Sequence, residues 1–151
     1  MKSTVKNKSK HTEITIADKL DDQAISILSD IHNKIKNNFL VFDLKALSGV
    51  NSYGTAARIK FISSYKNYNI EFRDVSPDFI RMCNMLSSAK GGGRIFSYMV
   101  PYHCDACNLT SYATFELAKI NGETGFPNLK CSKCKELIES EEAAEEYLSG
   151  I

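Results

Sequence analysis

Four cysteines near the end of the chain stand in two Cys-x-x-Cys pairs, Cys104-Asp-Ala-Cys107 and Cys131-Ser-Lys-Cys134. Two residues between the members of a pair let both sulfurs of one turn reach a single ion, and two such turns supply the four thiolates of a tetrahedral Zn²⁺ site at about 2.3 Å per bond. Four thiolate ligands leave no open coordination position, so the chemistry is structural rather than catalytic. His103 adjoins Cys104 and is a second candidate for a ligand position, but the four-Cys set is complete without it. Other uses of paired cysteines fit less well. A redox Cys-x-x-Cys is normally single and lies between a strand and a helix. The spacings do not resemble ferredoxin cluster patterns, and nothing in the sequence points to the oxidising compartment that disulfides need. The fifth cysteine, Cys83, is surrounded by apolar residues at helical spacing and reads as a small core side chain.

Between the two pairs lie Asn108 to Lys130. Thr110–Leu117 has strand character, followed by Asn121-Gly122 and Gly125 as turn residues and then Phe126-Pro127. A hairpin between two metal-binding turns is the layout of a zinc ribbon, assigned to residues 101–137.

The elements before the ribbon alternate. Residues 11–17 alternate apolar and polar from Ile14, as in a strand. Asp21-Asp22 opens a helical run with Ala24, Leu28, Ile31 and Ile35 on one face, and Lys34 and Lys36 suit its end. Asn38–Leu44 reads as a buried strand, and Gly49–Gly54 as a loop into a helix over Tyr53–Lys66. Asn69–Val75 is another strand; Ser76-Pro77 supplies an N-cap and a first-turn proline for a helix ending near Ser88. Arg94–Val100 is a last strand feeding the first cysteine pair. The order βαβαβαβ predicts an α/β domain with a parallel or mixed sheet over residues 11–100. The lysine-rich residues 1–10 are expected to be disordered, and the acidic residues 138–151 to be helical.

By this point residues 13–100 resemble a STAS domain, the fold of bacterial anti-sigma factor antagonists. Val41-Phe-Asp-Leu…Asn51-Ser-Tyr-Gly54 is similar to the family's strand ending in Asp-Leu and its Asp-Ser-Ser/Thr-Gly turn. Ile70–Phe79 is similar to its strand followed by a Val-Ser-Pro helix start. The resemblance implies a STAS-like mixed sheet and a non-enzymatic interaction module whose partner is a kinase-like anti-sigma factor or another regulator. It also implies a partner-binding turn at Asn51, Ser52, Tyr53 and Gly54, with Ser52 as the phosphate acceptor. Asn51 stands where the family has Asp, and the bulky Tyr53 follows the serine. A turn that keeps the binding surface without the phospho-switch, with Ser52 serving as helix cap, is the alternative.

Charge is divided. Residues 1–100 hold 15 Lys/Arg against 9 Asp/Glu, and residues 101–151 hold 4 against 9. A nucleic-acid-binding ribbon would present the opposite sign to phosphate. Base stacking on Tyr112 and Phe115 is therefore disfavoured, and a nucleic-acid-associated zinc protein with a STAS-like scaffold is the runner-up. The three histidines do not fall into a nucleophile arrangement. Gly91-Gly-Gly93 follows a helix, whereas a dinucleotide fingerprint opens one. The absence of an apolar leader and of a long apolar run predicts a cytoplasmic protein without a membrane span.

Overall fold

Alternation in the sequence becomes a one-sided sheet. The computed structural model describes residues 1–151, apart from the side chain of Ser87. In chain order the first elements are β1 (Lys2–Asn7), β2 (Thr12–Leu20), α1 (Ala24–His32), β3 (Phe39–Asp43), β4 (Leu47–Val50), α2 (Ser52–Ser63), β5 (Asn69–Arg73), α3 (Pro77–Met85) and β6 (Arg94–Ile95). The sheet runs β1-β2-β3-β5-β6, with β4 pairing the far end of β2. β1 is antiparallel to β2, and the remaining pairs are parallel. The fold is α/β with a mixed sheet, as the alternating elements predict.

Register fixes the core. Ile14, Phe42, Phe72 and Ile95 stand side by side across four strands, and all are buried. Parallel neighbours in sequential order require crossovers of one hand, which set the helices on one face. Phe61 of α2 meets Phe42 edge-on, and Phe79 of α3 meets Phe72, with Leu28 and Ile31 of α1 in the same cluster. On the opposite face Glu13, Val41, Glu71 and Arg94 are aligned. There Glu71 is held by Arg73 at 2.7 Å and Arg94 at 2.6 Å.

Residues 1–10 are not disordered: Lys2–Asn7 is the edge strand β1, paired residue for residue with β2. Its lysines occupy exposed positions, where an edge strand tolerates charge, while Ser3 and Val5 turn inward. Asn7 anchors the end, accepting from the Thr12 hydroxyl at 2.6 Å and donating to the Lys34 carbonyl at 2.9 Å. Part of the expected 49–54 loop also belongs to the sheet, as β4. α1 begins only at Ala24, so the two aspartates precede it. α3 starts on Ser76 and Pro77 as read, stops at Met85, and is followed by a 3-10 turn, Ser87–Lys90.

The strand expected over 94–100 breaks at Phe96. Its N–H still bonds the Phe72 carbonyl at 2.9 Å, but β7 (Ser97–Cys104) moves on to Val75, at 3.0 Å and 2.8 Å. Asp74, with φ 48°, makes the step, and its N–H and carboxylate both bond the Ser97 hydroxyl at 2.8 Å. Residue 100 thus lies inside β7. Tyr98, Val100 and Tyr102 of β7 join the same buried cluster as Phe79 and Ile80.

Residues 138–151 are not one acidic helix either. Following β8 (Leu109–Glu116), β9 (Leu129–Lys130) and β10 (Leu137–Ile138), the chain forms a single helical turn, α4 (Ala144–Tyr147). Tertiary bonds take the rest. Ser140 bridges Tyr102, and the buried Tyr147 donates its hydroxyl to the Met99 carbonyl at 2.7 Å. Asn84 of α3 bonds the Tyr147 carbonyl at 3.0 Å and the Gly150 N–H at 2.9 Å. Among the described residues no helix is long and apolar enough to cross a membrane.

Candidate functional site

Each cysteine pair forms the turn of its own hairpin. β7 and β8 are antiparallel, and their last pair is Cys104 with Leu109, so Cys104–Cys107 closes that hairpin. β9 and β10 pair as Lys130 with Leu137, and Cys131–Cys134 lies between them. The strand expected to fold forward between the pairs therefore folds backward onto β7. The cause is β7 itself, a strand already anchored in the core and longer than the segment 126–130. Asn121 then makes the turn, its side chain accepting the Glu123 and Thr124 N–H groups at 3.0 Å and 3.1 Å.

The two turns have similar geometry. The residue after each second cysteine, Asn108 or Lys135, has positive φ, 46° and 67°. The Asn108 N–H reaches the Asp105 carbonyl at 3.3 Å, and the Lys135 N–H reaches the Cys131 carbonyl at 3.0 Å. This curl turns backbone N–H groups toward sulfur. The Cys107 N–H thereby favours the Cys104 thiolate, and the Cys134 and Lys133 N–H groups favour that of Cys131. Asparagine signals such a backbone; lysine gives no signal.

The four ligand sulfurs lie within 4.8 Å of one another, with Cys104 and Cys134 at 3.5 Å across the two turns. Tetrahedral bonds of about 2.3 Å separate sulfurs by about 3.8 Å, so the donor set fits a four-thiolate ion. Cys104 and Cys131 are buried, Cys107 is half-buried and Cys134 faces solvent. Crowding sets the thiol acidities. The Cys134 sulfur pushes Cys107 up to about 12. The Cys134 and Lys133 N–H groups hold Cys131 down at about 6. Cys104 feels the Cys107 N–H in its favour, yet burial and the neighbouring sulfurs leave it above the usual thiol range. A divalent cation in place of those protons relieves all of these conflicts. His103 stays outside the cluster, with Nδ1 3.1 Å from the Thr110 hydroxyl and Nε2 3.7 Å from the Asp105 carboxylate.

The second sequence candidate, Asn51–Gly54, starts α2. Asn51 is the cap: its side chain accepts the Gly54 N–H at 2.8 Å. Ser52, read from the sequence as either a phosphate acceptor or the helix cap, is not the cap: it is the first residue of the helix proper and is exposed. Gly54 is pressed on the end of β2, where a Cβ would stand 2.1 Å from the Leu20 carbonyl oxygen. Glycine at this position is thus a packing requirement. Ser52 and Tyr53 face different surfaces. Ser52 lines a groove of about 460 Å³ with Thr55, Arg81, Met82 and the exposed Met85. Tyr53 lines another between α1 and α2.

Cys83 is buried in α3, where burial pushes its thiol up. The sequence reading missed its neighbour Arg58, which is 3% exposed. The guanidinium carbon lies 4.5 Å from the Phe79 ring centroid and 5.7 Å from that of Phe72. Among the described residues none accepts a hydrogen bond from it. Burial pulls it down to about 10. The available signal was position: Thr55, Arg58 and Ile62 share one face of α2.

No protein-family model matches the sequence, and no curated protein matches it.

Proposed function

We propose that the chain is a non-enzymatic interaction module of a regulatory, partner-switching pathway, with Asn51, Ser52, Tyr53 and Gly54 as the partner-binding turn. The observation that carries this reading is the division of labour in that turn. Asn51 does the capping, so the Ser52 hydroxyl stands exposed at the start of a 12-residue helix. Exposed apolar side chains, Tyr53, Met85 and Leu86, lie on either side of it. Phosphate on Ser52 would add about −1.5 to −2 charge beside the free N–H groups of α2, tolerable there but costly inside a fitted interface. In this reading the partner is a kinase-like anti-sigma factor or a comparable regulator, and phosphorylation releases it. Nucleic acid is the weaker partner because the hairpin half is acidic.

The metal is read as Zn²⁺ in a structural role. Four soft thiolates in tetrahedral reach favour zinc among ions without redox function, and no position is left for substrate. Thiolates held on a metal agree with the reducing, cytoplasmic setting expected from the sequence.

Calorimetric titration of a captured partner against the Ser52→Glu and Ser52→Ala chains tests the reading. Glutamate should weaken binding at least tenfold more than alanine. Equal affinities, with both variants folded, would remove the turn from the interface.

A further inference from the structure

α1 and α2 leave between them a groove of about 530 Å³. Leu28 and Phe61 form its buried floor, and the small side chain of Ala57 keeps it open. Its lips are Ile25 and Tyr53, 69% and 74% exposed. Lys60 supplies charge at the rim, and no acidic side chain lines the groove. His32 closes one part, with Nδ1 2.5 Å from the Tyr65 hydroxyl.

The neighbouring helix illustrates how this fold covers such a surface. α3 is overlaid by the chain's own acidic C-terminal segment, which buries Tyr147 and Leu148 and sets Glu142 3.3 Å from Arg81. The α1–α2 groove offers the same combination, an apolar floor with a basic rim, and among the described residues no segment covers its lips. We infer that the α1–α2 groove receives an acidic amphipathic helix of a partner protein. Its apolar side chains lie over Leu28 and Phe61 between Ile25 and Tyr53, and a carboxylate meets Lys60. Such helices dock by apolar anchors at i, i+3/i+4 and i+7, and a tyrosine lip is a rigid anchor of the kind that dominates interface energetics. The rim lysine selects orientation and sign more than it adds affinity. This rests on reading the chain as an interaction module, and it names the partner's chemistry.

The test uses two synthetic amphipathic peptides with one shared Leu/Tyr face, flanked in one by Glu and in the other by Lys. Each is titrated into the ¹⁵N-labelled full chain. The Glu peptide should shift the amides of Ile25, Tyr53 and Lys60 and bind at least tenfold more tightly than the Lys peptide. Lys60→Glu should reverse that order, and Ile25→Ser should weaken both about tenfold. Absence of binding at millimolar peptide, equal affinities, or shifts confined to α3 or the hairpins would overturn the inference. So would concentration-dependent shifts of groove residues without peptide, which would assign the groove to a second copy of the chain. Ser52→Glu acts from the other groove. Unchanged peptide binding in that variant, with loss in Ile25→Ser, keeps this result independent of whether Ser52 is a switch.

Discussion

The side-chain oxygen of Asn51 accepts the Gly54 N–H at 2.8 Å, while the Asn51 N–H bonds the Leu20 carbonyl at 3.1 Å. One residue thus joins the end of β2 to the start of α2 and leaves the adjacent serine hydroxyl free. Asn51→Ala should cost about 0.5–2 kcal/mol, lowering Tm by roughly 2–4 °C per kcal/mol in a chain of this size. Gly54→Ala should cost more, because its methyl collides with backbone that cannot move aside. Thermal melts of both variants rank the two effects, and an unchanged Tm in Gly54→Ala would contradict the close approach at Leu20.

The purified chain should carry one zinc ion, measured by elemental analysis. Chelation should disorder β8 to β10 first, visible as loss of amide dispersion for residues 104–138. Ligand thiols must be deprotonated, so affinity should fall as pH is lowered and protons compete for sulfur. Cys104→Ser, inside the buried half of the site, should damage the hairpins more than Cys134→Ser on the exposed side.

Arg58→Met should leave stability unchanged or raise it. The guanidinium has two aromatic faces but no acceptor, and cation–π contact returns only about 0.5–2 kcal/mol. Replacing even a buried ion pair by apolar volume is often neutral or stabilising by about 1–4 kcal/mol, and Arg58 has no partner among the described residues to leave behind. Urea midpoints at constant m-value would measure it. A clear loss of stability would mean that Arg58 has an acceptor in solution.

Glu71 sets a pH dependence of the sheet. Burial alone would raise its pKa, but hydrogen bonds from Arg94 and Arg73 hold the carboxyl below the usual range. A depressed carboxyl contributes stability above its unfolded value, about 4.3, and loses it as pH falls through the folded value. Acid unfolding curves of the wild type and Glu71→Gln should therefore converge at low pH. At pH 7 the variant should be weaker by about 1.5–3 kcal/mol.

A chain ended at residue 100 cuts β7 in mid-strand and removes Tyr102, Tyr147 and Leu148 from the buried cluster. It should melt well below the full chain, and removal of residues 139–151 alone should strip α3 of the Asn84 bonds to Tyr147 and Gly150. Circular dichroism melts of the two truncations compare these losses. A 1–100 chain as stable as the intact protein would show two independent cores.

The local chemistry of this protein was written in its sequence. The cysteine spacing alone selected Cys104, Cys107, Cys131 and Cys134, because two residues per turn fix the sulfur reach whatever surrounds them. Ser76-Pro77 likewise started α3, since cap and proline act through their own backbone. The apolar alternation of Ile14 and Ile16 and of Leu40 and Phe42 set the inward face of the sheet. What depended on distant partners was not legible. Lys2–Asn7 became a strand because β2 offered it an open edge, and Asn51 took the cap because Leu20 fixed the direction of the turn. β8 folded onto β7 because that strand was already held by Val75. The acidic tail gave up helix for Asn84, Met99 and Tyr102. Arg58 was enclosed by Phe72 and Phe79 from elements beyond its own helix. Backbone preference acts over a turn or two of chain, whereas pairing and burial are settled by whichever surface the completed fold brings within reach.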